Sequence, residues 1–84
     1  MNNNLVEIAK VIVANGVEDW CLSPTQLFVT MKDDDTQDRT FRELSEKGLL
    51  DGWNLTNGKD DLIFEGEHRT LNLLADEIDG QWGG

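Results

Sequence analysis

The chain has 84 residues, 38% of them hydrophobic, with 17 Asp plus Glu against 7 Lys plus Arg and a formal net charge of -10. That length fits one domain, and the apolar content excludes an acidic disordered tail. The charge excludes an ordinary phosphate-neutralising nucleic-acid binder, exceeds what solubility needs, and favours a basic protein surface as partner.

Asn4 can cap a first helix, with Glu7 placed to complete a capping box. Leu5, Ile8 and Ile12 share a helical face beside Ala9 and Val11, although the β-branched run 11–13 leaves a strand as the alternative. Asn15-Gly16 is a stop. Trp20-Cys21-Leu22 reads as a short edge strand, and Cys21, the lone cysteine, is expected to be a buried, inert thiol. Ser23-Pro24-Thr25-Gln26 is the clearest helix start, with Ser23 as cap and Pro24 at the first helical position. Leu27, Phe28 and Met31 would be the buried stripe of a helix of two turns.

Asp33-Asp34-Asp35 suits the positive end of the next helix, residues 36–47, with Asp35 or Thr36 as its cap. Thr40, Phe41 and Leu44 are expected to face inward. Gln37, Asp38, Arg39, Arg42, Glu43 and Glu46 are expected to face water, with Asp38 to Arg42 and Arg42 to Glu46 as i,i+4 ion pairs. Gly48 ends this helix. Residues 49–56 read as a strand with Leu49, Trp53 and Leu55 alternating. Asn57-Gly58 is a two-residue hairpin signal, Leu62-Ile63-Phe64 is the returning strand, and Gly66 closes the hairpin. Leu71, Leu74, Ala75 and Ile78 form the stripe of a last helix starting near His68 and stopped by Gly80, leaving 79–84 as a loose tail. In that tail Trp82 is a candidate contact residue, and Gly83-Gly84 resembles the end of ubiquitin-like carriers, although those begin with a strand hairpin.

Two segments carry a family resemblance. Phe41-Arg42-Glu43-Leu44-Ser45-Glu46-Lys47-Gly48-Leu49-Leu50 resembles the end of a winged-helix recognition helix running into the first wing strand. Ser23-Pro24-Thr25-Gln26-Leu27 resembles the start of the helix before it. The resemblance to winged helix-turn-helix domains spans Asn4 to about Asp79. It implies a single, mostly helical α+β domain over 1–84, in the order α-(β)-α-α-β-β-α. It also implies a duplex-reading surface of Thr36, Gln37, Arg39, Thr40, Arg42 and Lys47 on the helix at 36–47, with Lys59 on the wing 50–65. Pairing through the last helix would make such a regulator a dimer.

The departure from the family lies at the turn, Asp33-Asp34-Asp35, and the wing tip, Lys59-Asp60-Asp61, where phosphate-facing cations are usual. The favoured expectation is therefore a non-enzymatic module whose acidic surface engages a basic, nucleic-acid-binding protein. That surface comprises Asp33, Asp34, Asp35, Asp38, Asp60, Asp61, Asp76, Glu77 and Asp79. In size and charge the chain is similar to small phage inhibitors that mimic DNA, of the anti-CRISPR and anti-restriction class. No calcium-loop spacing, Cys/His ligand set, phosphate loop or catalytic triad is legible, so no cofactor, metal or enzyme activity is expected. The start lacks a basic, long-apolar leader and no apolar run reaches membrane-spanning length, which makes a cytoplasmic protein the expectation.

Overall fold

A computed structural model describes residues 4–83. The chain runs α1 (Asn4–Asn15), β1 (Val17–Leu22), β2 (Gln26–Met31), α2 (Asp34–Glu46), β3 (Asn54–Asn57), β4 (Leu62–Glu65) and α3 (His68–Gly83). It is an α+β structure, about half helical rather than mostly so. The strands form one antiparallel sheet in the order β1-β2-β4-β3.

Alternation decides the layers. Leu27, Val29 and Met31 of β2 and Leu62 and Phe64 of β4 are buried, in one core with Ile8 and Ile12 of α1, Leu44 of α2 and Leu71, Leu74, Ala75 and Ile78 of α3. Successive strand residues point to opposite faces, so the helices occupy one face and leave the other open. Trp53 abuts Phe64 edge-on, with ring centroids 5.8 Å apart.

The largest correction falls on Ser23–Met31, which holds a strand and not a helix. Ser23 and Gln26 close a tight β1–β2 turn: Ser23 N–H and Oγ–H both donate to the Gln26 carbonyl, at 2.8 and 3.0 Å. Pro24 supplies a fixed φ that serves the second position of a turn as readily as the first position of a helix. The next five residues after Gln26, Leu-Phe-Val-Thr-Met, are rich in aromatic and β-branched side chains and apolar at every second position. Pairing with β1 along their length, and with β4 as far as Val29, holds them as a strand. The helix pair of a helix-turn-helix is therefore not present at this point of the chain.

Smaller corrections share one logic. Cys21 pairs with Phe28 across β1–β2, faces the open side and is exposed. α2 begins two residues earlier than expected, because the Asp33 carboxylate accepts from Thr36 N–H at 2.7 Å and caps it. Asn57 and Gly58 do not form a two-residue turn; Asn57 pairs with Leu62, and Gly58 N–H donates to the Asp61 carbonyl at 3.0 Å across a longer loop. A Cβ at Gly58 would meet that carbonyl at 2.8 Å, so glycine is required there by close approach. Gly80 does not stop α3, which continues to Gly83 with Gln81 Nε2 donating to Glu77 at 3.1 Å and to the Val6 carbonyl at 3.5 Å. One glycine weakens a helix by about 1 kcal/mol without ending it. Residues 79–83 are therefore helical, and Gly84 lies outside the described residues.

The strand expected over 49–56 is shorter: residues 49–52 are a turn with Gly52 at φ 83°, Trp53 N–H donates to the Leu50 carbonyl at 2.9 Å, and only Asn54–Asn57 pairs as β3. Three further expectations hold. α1 is a helix ended at Gly16, whose φ is 110°. Gly48, at φ 70°, follows α2 in a Schellman arrangement, with Leu49 N–H donating to Leu44 O and Gly48 N–H to Ser45 O. The α3 stripe is buried as its spacing requires.

Candidate protein-binding surface

α2 and the β3–β4 loop build one acidic corner. Gln37 is the joint. It is only 4% exposed, and its Nε2 donates to Asn57 Oδ1 and Gly58 O at 2.8 Å each, with a longer contact to Asp61 O at 3.4 Å. Asn57 in turn donates from Nδ2 to Asp38 Oδ1 at 2.9 Å. Asp61 is held from the other side, where Thr30 Oγ1 donates to its carboxylate at 2.6 Å. The chain thus fixes Asp38 and Asp61 around one loop, with exposed Asp60 inside that loop and exposed Asp33, Asp34 and Asp35 at the start of α2.

Asp76, Glu77 and Asp79 belong elsewhere. They ride on α3, which packs against α1 and the β1–β2 side of the sheet, while α2 packs against α1, β2 and β3. The acidic residues read from the sequence therefore divide into an α2–hairpin group and a separate α3 group. Among the described residues, no group of three or more His, Cys, Asp or Glu side chains is placed to hold a metal ion.

The residues expected to read a duplex fare differently. Thr36, Gln37 and Thr40 are 2%, 4% and 0% exposed and form part of the inward face of α2, with Thr40 Oγ1 donating to the Thr36 carbonyl at 2.7 Å. The physical reason is the helix phase: the buried stripe is Thr36/Gln37-Thr40-Leu44, which leaves Phe41 half-buried at the rim. Arg39 Nε donates to Asn15 Oδ1 of α1 at 3.1 Å, and Asn15 Nδ2 donates to Glu43 Oε1, also at 3.1 Å. Lys47 pairs with Glu43 at 3.2 Å. The Asn15 hydrogen bond, then Lys47, hold the Glu43 carboxyl below its ordinary value. The Asp33 carboxyl is likewise lowered, by its hydrogen bonds with Thr36.

The expected Asp38–Arg42 and Arg42–Glu46 pairs do not form. The ion pairs among the described residues are Lys10–Glu7 and Lys47–Glu43, both solvent-exposed and worth little individually. Arg42 instead lines an open groove with Asp38, Phe41, Ser45, Glu46 and Asn57. Lys59 sits on the hairpin loop beside Asp60 and Asp61. Arg39, Arg42, Lys47 and Lys59 are thus interleaved with carboxylates. Sequence reasoning misses Asn15 and Asn57, whose amides organise the two networks, because a polar residue flanking a glycine reads only as a turn signal.

Among the described residues, no helix is long and apolar enough to cross a membrane. No family model matches the chain, and no curated protein and no solved structure is significantly similar to it.

Proposed function

We propose that this protein is a non-enzymatic binding module whose acidic α2–hairpin corner engages a basic protein surface. One observation carries the reading. Gln37 and Asn57 tie α2, which carries Asp38 and begins with Asp33 and Asp34, to the β3–β4 loop, which carries Asp60 and Asp61, in a chain of net charge -10. Fixed carboxylates of one sign raise the encounter rate with a cationic site and orient the complex. A nucleic-acid-binding site is a natural target, because it offers cations spaced for phosphates. This is the chemistry of a DNA-mimic inhibitor of the phage type, and it needs no cofactor.

A winged-helix kinship is a separate proposal. It would rest on α1, β1, α2 and the β3–β4 hairpin, and it would have to accommodate β2 where that family carries a helix. Duplex reading through α2 is the less favoured function, since Thr36, Gln37 and Thr40 are buried and Arg39 and Lys47 are engaged within the fold.

Titration with random-sequence duplex at low salt is the test. The expected outcome is no binding, alongside capture of a basic protein from the native host that is lost when Asp34, Asp38 and Asp60 are replaced by Asn. Tight, salt-dependent duplex binding that disappears in an Arg39→Ala, Arg42→Ala variant would overturn the proposal.

A further inference from the structure

The open face of the sheet is not the polar surface that a solvated antiparallel face normally presents. Cross-strand pairing lines up Cys21, Phe28, Ile63 and Thr56 in one row across all four strands. Phe28 and Ile63, adjacent at its centre, are half-buried and lie outside the core cluster, while Cys21 and Thr56 at its ends are exposed.

Carboxylates border this row. Asp19 pairs with Thr30 on one side, where Asp61 also accepts from the Thr30 hydroxyl. Glu65 pairs with Gln26 on the other, accepting from its amide at 3.0 Å. Each is held by a neutral donor: Asp19 by the Trp20 N–H at 2.8 Å, Asp61 by Thr30, Glu65 by Gln26. Among the described residues none of the three is in an ion pair, and no strand residue paired onto this face is Lys or Arg.

We infer that the open sheet face is a docking surface for a cationic protein segment that presents an apolar side chain to Phe28 and Ile63. The inference rests on the acidic-module reading for the partner's charge and adds an anchoring site to it. Asp61 belongs to both surfaces, through its backbone carbonyl to Gln37 and its carboxylate to Thr30. A partner can therefore span the corner and the face continuously. A second copy of the chain is a poor occupant: face-to-face stacking would bring Asp19, Asp61 and Glu65 against their own kind, in chains of net charge -10 each.

Two synthetic peptides test this on the full chain: a Lys-rich octapeptide with Phe and Leu at its two central apolar positions, and its counterpart with Ser at both. Affinities are read by titration, and docking by the rate at which iodoacetamide alkylates Cys21, the chain's single thiol. The expected result is about tenfold tighter binding of the Phe/Leu peptide, on the scale of one apolar side chain removed from water, with slowed alkylation. Phe28→Ser with Ile63→Thr should abolish that preference and leave the Ser peptide's affinity unchanged. Melting curves monitor folding, and Ile63→Thr alone replaces the double variant if the latter unfolds. Equal affinities, or unaltered alkylation, would overturn the docking face while leaving the acidic corner standing. Failure of the Ser peptide to bind while the Phe/Leu peptide still binds and slows alkylation would overturn the acidic corner and the cationic character of the docking segment, and leave only an apolar docking face. Protection of Cys21 that grows with protein concentration in the absence of peptide would overturn the inference in favour of self-association.

Discussion

The two faces of the sheet use the same strands for different ends. On the helix side, Leu27, Val29, Leu62 and Phe64 are fully buried and continuous with the stripes of α1 and α3. On the open side, Phe28 and Ile63 sit on the same strands, half-buried outside the core and bordered by acids. Removal of water from the first face drives folding. The second face keeps part of its apolar surface in contact with water, where a partner can cover it. Two adjacent residues, Phe28 and Val29, therefore answer to different constraints.

The comparison breaks most visibly at Phe64. Phe64→Ala should cost about 3–5 kcal/mol, since it empties a fully buried site and removes the Trp53 contact. Against the roughly 5–15 kcal/mol of a typical domain that is a large loss, measurable by urea denaturation. Gln37→Ala should come next at about 1–3 kcal/mol, because the Gly58 carbonyl and the Asn57 side chain lose their shared amide donor. It should also raise hydrogen exchange in residues 57–61 ahead of the core. Phe28→Ser, by contrast, should cost only about 0.2–1 kcal/mol, the range of a cross-strand pair. A loss comparable to that of Phe64→Ala would show that the open face belongs to the folding core.

The smallest expected effect is an acid-limb difference. Asp33 and Glu43 ordinarily titrate near 3.8 and 4.5 and are both lowered in the fold. The unfolded chain therefore binds their protons first as pH falls. Their contribution is present above those values and is lost on acidification through the folded values. Asp33→Ala and Glu43→Gln should each melt below the parent at neutral pH, and the differences should shrink as the pH falls below the ordinary values of the two carboxyls. Differences that persist unchanged at low pH would show that neither charge matters.

Much of the architecture is legible in the sequence because it rests on strong local physics. Gly16 and Gly48 take positive φ where helices must end, and Leu71-Leu74-Ala75-Ile78 has one face to bury. Ser23–Met31 misleads because a capping box and a proline turn share a composition, and only pairing with β1 and β4 selects between them. Val29, outside the helical stripe, carries the strand signal. In the acidic corner the charges are legible, but Gln37 is not. A glutamine among charged residues reads as solvated until a loop from elsewhere in the chain supplies partners for its amide. The open face cannot be recognised until the strand at 26–31 is known.

Gln37 has a further consequence. By clamping the loop to α2 it makes the separation of the carboxylates on the two elements a fixed property of the folded state. The unfolded chain can spread those charges, whereas the native one holds them together at some electrostatic cost. Folding and cation binding then draw on the same free energy. A polycation that occupies the corner should raise the melting temperature in proportion to how tightly it binds, and simple salt should do so more weakly. A thermal-shift screen of basic proteins therefore tests the proposed function directly: a binder of the corner raises the melting temperature, and no rise across the screen would count against it.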